Sequence, residues 1–240
     1  SYEAFEALKD VSFNVKKGET FGIIGRNGSG KSTLLNAIAG TFLPDSGTIV
    51  LDGKEISQWP EYKRARMIGR VFQNPFAGTA AEMTIAENIV MAMRRGHHPG
   101  LRTAVSKQAR EAIAEKVRML RMGLEDRLNN PIGTLSGGQR QALTLLMAAW
   151  QKPRLLLLDE HTAALDPRSA AKVAELTSEI IASEKLTALM VTHSMQQAAR
   201  ISDKTAFFLM GEVIEYGSTA DIFANPNDKR TEDYITGRFG

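Results

Sequence analysis

Gly25-Arg26-Asn27-Gly28-Ser29-Gly30-Lys31-Ser32, followed by Thr33, decides the fold. It fits the pattern G-x-x-x-x-G-K-[ST] and has the surroundings that pattern needs. The apolar run Phe21–Ile24 reads as a strand before it, and Lys31–Gly40 is helix-competent after it. The glycines let backbone N–H groups curl around phosphate oxygens without side-chain collisions. The helix start turns the positive end of its dipole to the same place. Lys31 adds a point charge for the β- and γ-phosphates, and Ser32 offers a hydroxyl to magnesium. With strand, loop, lysine and helix in register, a Gly-rich turn that binds nothing is the poorer reading. The expected ligands are ATP and Mg2+.

Outward from the loop, Leu155-Leu156-Leu157-Leu158-Asp159-Glu160 supplies the second half of such a site. An apolar strand delivers two carboxylates at its C-terminal end, where ligands of open α/β sheets bind. Asp159 is expected to hold magnesium, directly or through water. Glu160 is expected to polarise the attacking water as general base. Alone, an apolar strand ending in Asp-Glu is commonplace; beside residues 25–33 it becomes informative.

Other short apolar runs read as strands of the same buried, largely parallel sheet: Thr48–Leu51, Ala188–Val191 and Ala206–Leu209. They are strand-length and lack clean alternation. Lys31–Gly40 and Ser169–Ser183 read as helices between them, so strand and helix alternate as in a doubly wound fold. From about residue 74 to 134 the chain is rich in Ala, Arg, Met and Glu at helical spacing, which reads as an inserted helical subdomain. Met210-Gly211-Glu212 looks like a turn into Val213–Tyr216, and Asp221–Ala224 and Thr231–Ile235 look helical.

The bulk composition excludes several classes. With 240 residues, 43% hydrophobic and 24% charged, the chain is an ordinary globular one. No apolar run is long enough to span a membrane, and Ser1–Asp10 carries no secretory signal. The absence of cysteine rules out disulfides and thiolate metal sites. A net charge of +3 is too small to argue for nucleic acid. The basic stretch Arg94–Arg121 reads as a solvated helix face, with no interleaved aromatic residues for stacking on bases.

Leu135-Ser136-Gly137-Gly138-Gln139-Arg140 stands immediately before the helical run Gln141–Trp150. Ser136 suits an N-cap, and the two glycines expose backbone N–H groups. This is a second anion-binding helix start, with no lysine and no magnesium ligand of its own. Here the chain resembles the nucleotide-binding subunits of ABC transporters, whose signature reads LSGGQ, and the resemblance runs over nearly the whole chain. It implies an α/β fold: a P-loop NTPase with a largely parallel core sheet, a small antiparallel β subdomain and an inserted helical subdomain. Residues 1–240 would form one such domain, 1–73 and 135–240 its sheet core and about 74–134 its helical part.

The resemblance also implies a head-to-tail homodimer or heterodimer with ATP between subunits. Ser136 and Gly138, within the stretch that includes Gly137 and Gln139, would then contact nucleotide held by the partner's Lys31. Gln73 matches the glutamine that senses magnesium and water. Asp166 matches the loop that crosses the dimer interface, although Asp166-Pro167 is also an ordinary helix start. His193 matches the histidine that hydrogen-bonds the γ-phosphate. Tyr2 or Phe5 is the candidate for stacking on adenine, and spacing to an expected strand Val11–Val15 favours Tyr2. His97 and His98 are read as inert.

His161 stands where most family members have proline, and adds a titratable ring beside Glu160. The branch resemblance varies along the chain. Residues 36–47, 60–73 and 135–166 look like importer ATPases of amino-acid type, 192–240 like the phosphate-importer ATPase, and 7–32 like exporters of cell-wall polymers. The change near residue 191 suggests a recombined or engineered sequence. The family further implies transmembrane permease subunits, whose coupling helices would dock around residues 74–100, and a cytoplasmic location, peripheral on the inner face of the cell membrane. The rival reading is a soluble non-transport ABC ATPase or an engineered nucleotide-binding module.

Overall fold

The computed structural model describes residues 7–96 and 107–238. Tyr2, Phe5, His97 and His98 lie outside the described residues. The strands are β1 (Thr20–Gly25), β2 (Val50–Leu51), β3 (Lys54–Glu55), β4 (Ile68–Val71), β5 (Leu155–Asp159), β6 (Ala188–Val191), β7 (Lys204–Leu209) and β8 (Glu212–Ser218). The α-helices are α1 (Lys31–Ala39), α2 (Glu61–Arg64), α3 (Ile85–Met93), α4 (Lys107–Arg118), α5 (Gly137–Ala149), α6 (Pro167–Glu184), α7 (Met195–Ile201), α8 (Thr219–Ala224) and α9 (Lys229–Ile235).

Six strands form one sheet in the order β4-β5-β6-β1-β7-β8. The first five run parallel, and β8 closes the edge antiparallel to β7. The pure apolar runs are explained by burial on both faces. Leu156, Leu158, Ala188 and Met190 pack with α3–α6 in one core, while Leu155, Leu157, Leu189 and Val191 pack with α1 in another. Residues 74–134 contain α3, α4 and two short 3-10 turns, and their Ile85, Ile89, Ile113 and Val117 belong to the same core as Leu156 and Leu158. No helix among the described residues is long and apolar enough to cross a membrane.

Local chemistry sets the helix ends. Thr84 and Glu87 form a capping box at α3, and Asp166 accepts from the Ser169 N–H at α6, with Pro167 in its first turn. Gly40 ends α1 in the left-handed region. The buried Arg64 then caps that end, donating to the Ala37 and Ile38 carbonyls at 2.6 and 2.9 Å. Within the basic stretch, Arg121 pairs with Glu179, Lys116 lies over Trp150, and Arg95 donates to the Ala148 carbonyl.

Two expectations need correction, and one strand was not expected. Thr48–Leu51 is not a strand of the parallel sheet; β2 pairs antiparallel with β3 across Asp52-Gly53, both at positive φ. That turn fixes a two-residue hairpin, so Val50 is 63% exposed while Leu51 covers the α1-side core. Val11–Val15 forms no strand. Its Val11, Phe13 and Val15 do pack on the α1-side core, but side-chain alternation without a neighbouring backbone makes no ladder. Finally, β4 had no counterpart among the expected strands, because Gly69 and Arg70 interrupt its apolar run.

Candidate active site

Four adjacent parallel strands, β4, β5, β6 and β1, end at one edge of the sheet. Their C-terminal ends carry Gln73, the pair Asp159–Glu160, His193 and the loop 25–33. This is the edge where open α/β sheets bind ligands, and the strand order alone brings the four together.

Gly30 is the N-cap of α1, held at φ 99, where a side chain would be strained. No side chain caps this helix and no acidic residue sits in its first turn. The orphan N–H groups of the first turn are thus free for an anion. Lys31 folds back into the loop, donating from Nζ to the Gly25 carbonyl at 2.8 Å and the Arg26 carbonyl at 2.7 Å. Burial lowers its pKa, opposed by the charges of Glu160 and Asp159. A cation in a bare helix-start cradle with two carboxylates beside it fits a triphosphate with its magnesium. Ser32 is exposed and Thr33 half-buried just beyond.

Glu160 is gripped from two sides. His193 Nε2 lies 2.5 Å from its Oε1, and Gln73 Nε2 donates to Oε2 at 3.3 Å. Its backbone is left-handed, at φ 44, and its N–H donates to the Val191 carbonyl at 2.9 Å. Such a backbone is a local strain of the kind found at functional sites. His193, expected at a γ-phosphate, thus meets the carboxylate of Glu160 in this structure.

The signature stretch is a capped helix start. Gln139 N–H donates to Ser136 Oγ at 3.3 Å and Gln139 Oε1 accepts from Ser136 N–H at 3.2 Å. Gly137 and Gly138 are already in the first turn of α5, which begins earlier than the expected Gln141–Trp150. A side chain at 138 would collide with Ser169 at 2.7 Å, so glycine lets α5 pack against the α6 start that Asp166 caps. No hydrogen bond among the described residues joins 135–139 to 25–33.

His161 overturns an expectation. Its ring is not a titratable neighbour of Glu160; it is 1% exposed and contacts Thr177 Oγ1 at 2.9 Å through Nε2. Thr177 spends its hydroxyl hydrogen on the Val173 carbonyl, so Nε2 is the donor and buried Nδ1 stays without a partner. Burial pushes the pKa down to about 4. The unfolded chain therefore binds more protons between pH 4 and 6.5, and stability is lost as pH falls through that window. His161→Leu should remove about 3 kcal/mol of the fall between pH 7 and 4, read as urea midpoints of variant and parent at both pH values.

Several residues of this region carried no sequence signal. Gln197 accepts from Thr192 Oγ1 at 2.8 Å and Thr162 Oγ1 at 3.3 Å, tying the segments that follow β6 and β5. Tyr234 stacks on Phe207 at 4.8 Å, in a cluster with Ile24, and its hydroxyl reaches the Gly25 backbone. Arg70 pairs with Asp159 at 3.3 Å. Only contacts between segments of the folded chain reveal these roles.

The profile of the family described as ABC transporter matches residues 8–163. The chain belongs to the ABC transporter family. It is 40% identical over 207 residues to a tyrosine transport ATP-binding protein of Clostridioides difficile, covering 86% of this chain and 82% of that protein. It is 39% identical over 251 aligned positions to the phosphate import ATP-binding protein PstB 3 of Streptococcus pneumoniae, covering 100% of this chain and 95% of that one. That second alignment covers the whole chain, the stretches on both sides of residue 191 included. Among solved structures, the dimeric ATP-binding cassette MJ0796, in a post-hydrolysis state with ADP and Pi, superposes with a TM-score of 0.77 at 27% identity, over 91% of this chain and 93% of that one. The fold is that of an ABC cassette: a P-loop NTPase with a mostly parallel sheet and a small antiparallel one.

Proposed function

We propose that this ABC chain is the ATP-hydrolysing subunit of an importer, working as a head-to-tail dimer beneath transmembrane permease subunits. The observation that carries hydrolysis is the double grip on Glu160, by His193 at 2.5 Å and Gln73 at 3.3 Å, at the end of the strand that also presents Asp159. Glu160 acts as general base, held in place by His193. Gly25, Asn27, Gly28, Ser29, Gly30, Lys31, Ser32 and Thr33 hold the triphosphate through backbone N–H groups and the Lys31 charge. Asp159, Ser32 and Gln73 hold magnesium, which supplies charge neutralisation along the phosphates. We assign residues 1–73 and 135–240 to the sheet core and about 74–134 to a helical subdomain.

Dimerisation follows from the two half-sites. Ser136, Gly137, Gly138 and Gln139 form a helix start that is exposed at Ser136 and has no lysine of its own, and Asp166 lies beside it. A second copy brings this start to the γ-phosphate held by the first copy's Lys31. The permeases' coupling helices dock in the groove beside Gln73, next to Phe72, which lines a pocket of about 340 Å³ with Arg70, Gly78, Met91 and Met147. Import is favoured by the relatives' names, one for tyrosine transport and one for phosphate import. The location that goes with this is cytoplasmic, peripheral on the inner membrane face.

The test is ATPase rate against protein concentration, where a superlinear rise is expected and strict proportionality from the most dilute sample upward counts against the dimer. Ser136→Arg should leave ATP binding within about twofold and cut turnover by at least ~10²-fold, because a bulky cation blocks the partner's phosphate. Full activity in that variant removes the half-site.

A further inference from the structure

The Mg2+ carboxylate proposed above has a built-in cationic holder. On β4, next to β5, Arg70 places Nη2 3.3 Å from Asp159 Oδ2 and 2.7 Å from Asn36 Oδ1. Its Nη1 is 3.4 Å from Thr41 Oγ1, and its guanidinium carbon lies 4.6 Å from the Phe72 ring centroid. Both side chains of the ion pair are only 13% exposed. No hydrogen bond among the described residues engages Asp159 Oδ1. Arg70 therefore takes one carboxylate oxygen and leaves the other.

The carboxylate also has a competing cation. Lys31 lies within electrostatic reach of Asp159 while donating to the loop carbonyls. Without Arg70, a poorly hydrated Asp159 would turn to Lys31, whose three donor hydrogens let it keep its phosphate, so that the metal ligand alone is withdrawn. We propose that Arg70 is a positioning residue for ATP hydrolysis, holding Asp159 by Oδ2 and away from Lys31 so that Oδ1 remains available to magnesium. This rests on the reading of Asp159 as the metal carboxylate. Like charge between guanidinium and metal acts the other way. That charge is delocalised and already shared with Asn36 and the Phe72 face, so orientation outweighs repulsion.

The experiment measures Mn2+ binding by electron paramagnetic resonance, in the full chain with a non-hydrolysable ATP analogue. Arg70→Met should raise half-saturating Mn2+ about tenfold, the usual scale for losing a partner of a metal ligand. Analogue binding in EDTA should change less than about twofold. Arg70→Lys should recover most of the loss by restoring a donor to Oδ2. Asn36→Ala, which loosens Arg70 without touching Asp159, should shift Mn2+ in the same direction by less and serves if Arg70→Met does not fold. Unchanged or tighter Mn2+ binding in folded Arg70→Met, or in Asn36→Ala where that variant stands in, overturns the proposal. Asp159→Asn separates the two claims. If it leaves Mn2+ binding intact, the metal assignment and the positioning role both fall; if it weakens binding while Arg70→Met does not, the positioning role alone falls.

Discussion

Glu160→Gln is expected to lower ATP turnover by ~10²–10⁴-fold, the usual worth of a positioned general base, while ATP still binds. The substitution is nearly isosteric, so Gln73 and His193 keep a side chain of the same length between them. What disappears is the proton acceptor. The left-handed backbone at position 160 suits glutamine no worse than glutamate, and the N–H bond to the Val191 carbonyl is untouched. Stability should change little. Since closure precedes hydrolysis in the proposed dimer, the variant should also accumulate as an ATP-bound dimer, visible by size-exclusion chromatography with ATP and absent without it. Steady-state turnover equal to the parent's would remove Glu160 as base; His193, 2.5 Å away, would then be the group to change next.

The parts of this site that sequence made legible are those built from one continuous segment. Residues 25–33 need only a strand, a loop and a helix start, each written locally, and Asp159–Glu160 needs only an apolar run and two acids. Ser136 and Asp166 were readable as caps because capping is local chemistry. What stayed hidden depends on neighbours that folding brings from afar. Arg70 interrupts the apolar run of β4, and it is the cation against Asp159, 89 positions later. His161 looked like a companion of Glu160 because it follows it. On a strand-to-loop segment successive side chains diverge, and this one enters the interior beside Thr177. Val11–Val15 shows the reverse failure: the alternation correctly marks a buried face, but pattern cannot supply the neighbouring backbone that a ladder requires. Glu160, His193 and Gln73 illustrate how these limits combine. Glu160 was read from its apolar strand, and Gln73 and His193 by resemblance to family motifs, while their mutual contact is a consequence of the order β4-β5-β6.

Lys31→Ala should weaken ATP binding by at least ~10²-fold, since hydrogen bonds to charged groups contribute about 1.5–3 kcal/mol each and this ammonium serves two phosphates. The gain in the parent is less than the gross strength of those bonds. Nζ already donates to the Gly25 and Arg26 carbonyls, and those bonds must be traded for phosphate. The same trade keeps the prediction separable from misfolding. Removing Lys31 deprives two carbonyls of a donor, which destabilises the loop. It also removes a cation whose burial lowers its pKa, which relieves a desolvation cost. The two effects oppose each other, so the melting temperature without nucleotide should move by no more than about 4 °C, while the stabilisation that ATP gives the parent is lost. Fluorescent-nucleotide titration and paired melting curves read both quantities. ATP affinity intact in the alanine variant would falsify the assignment of the glycine-lysine turn. Lys31→Arg sharpens the test, because it keeps the charge while its planar head presents donors in a different geometry from an ammonium. Loss of binding there too would show that the cradle selects a compact ammonium rather than any cation.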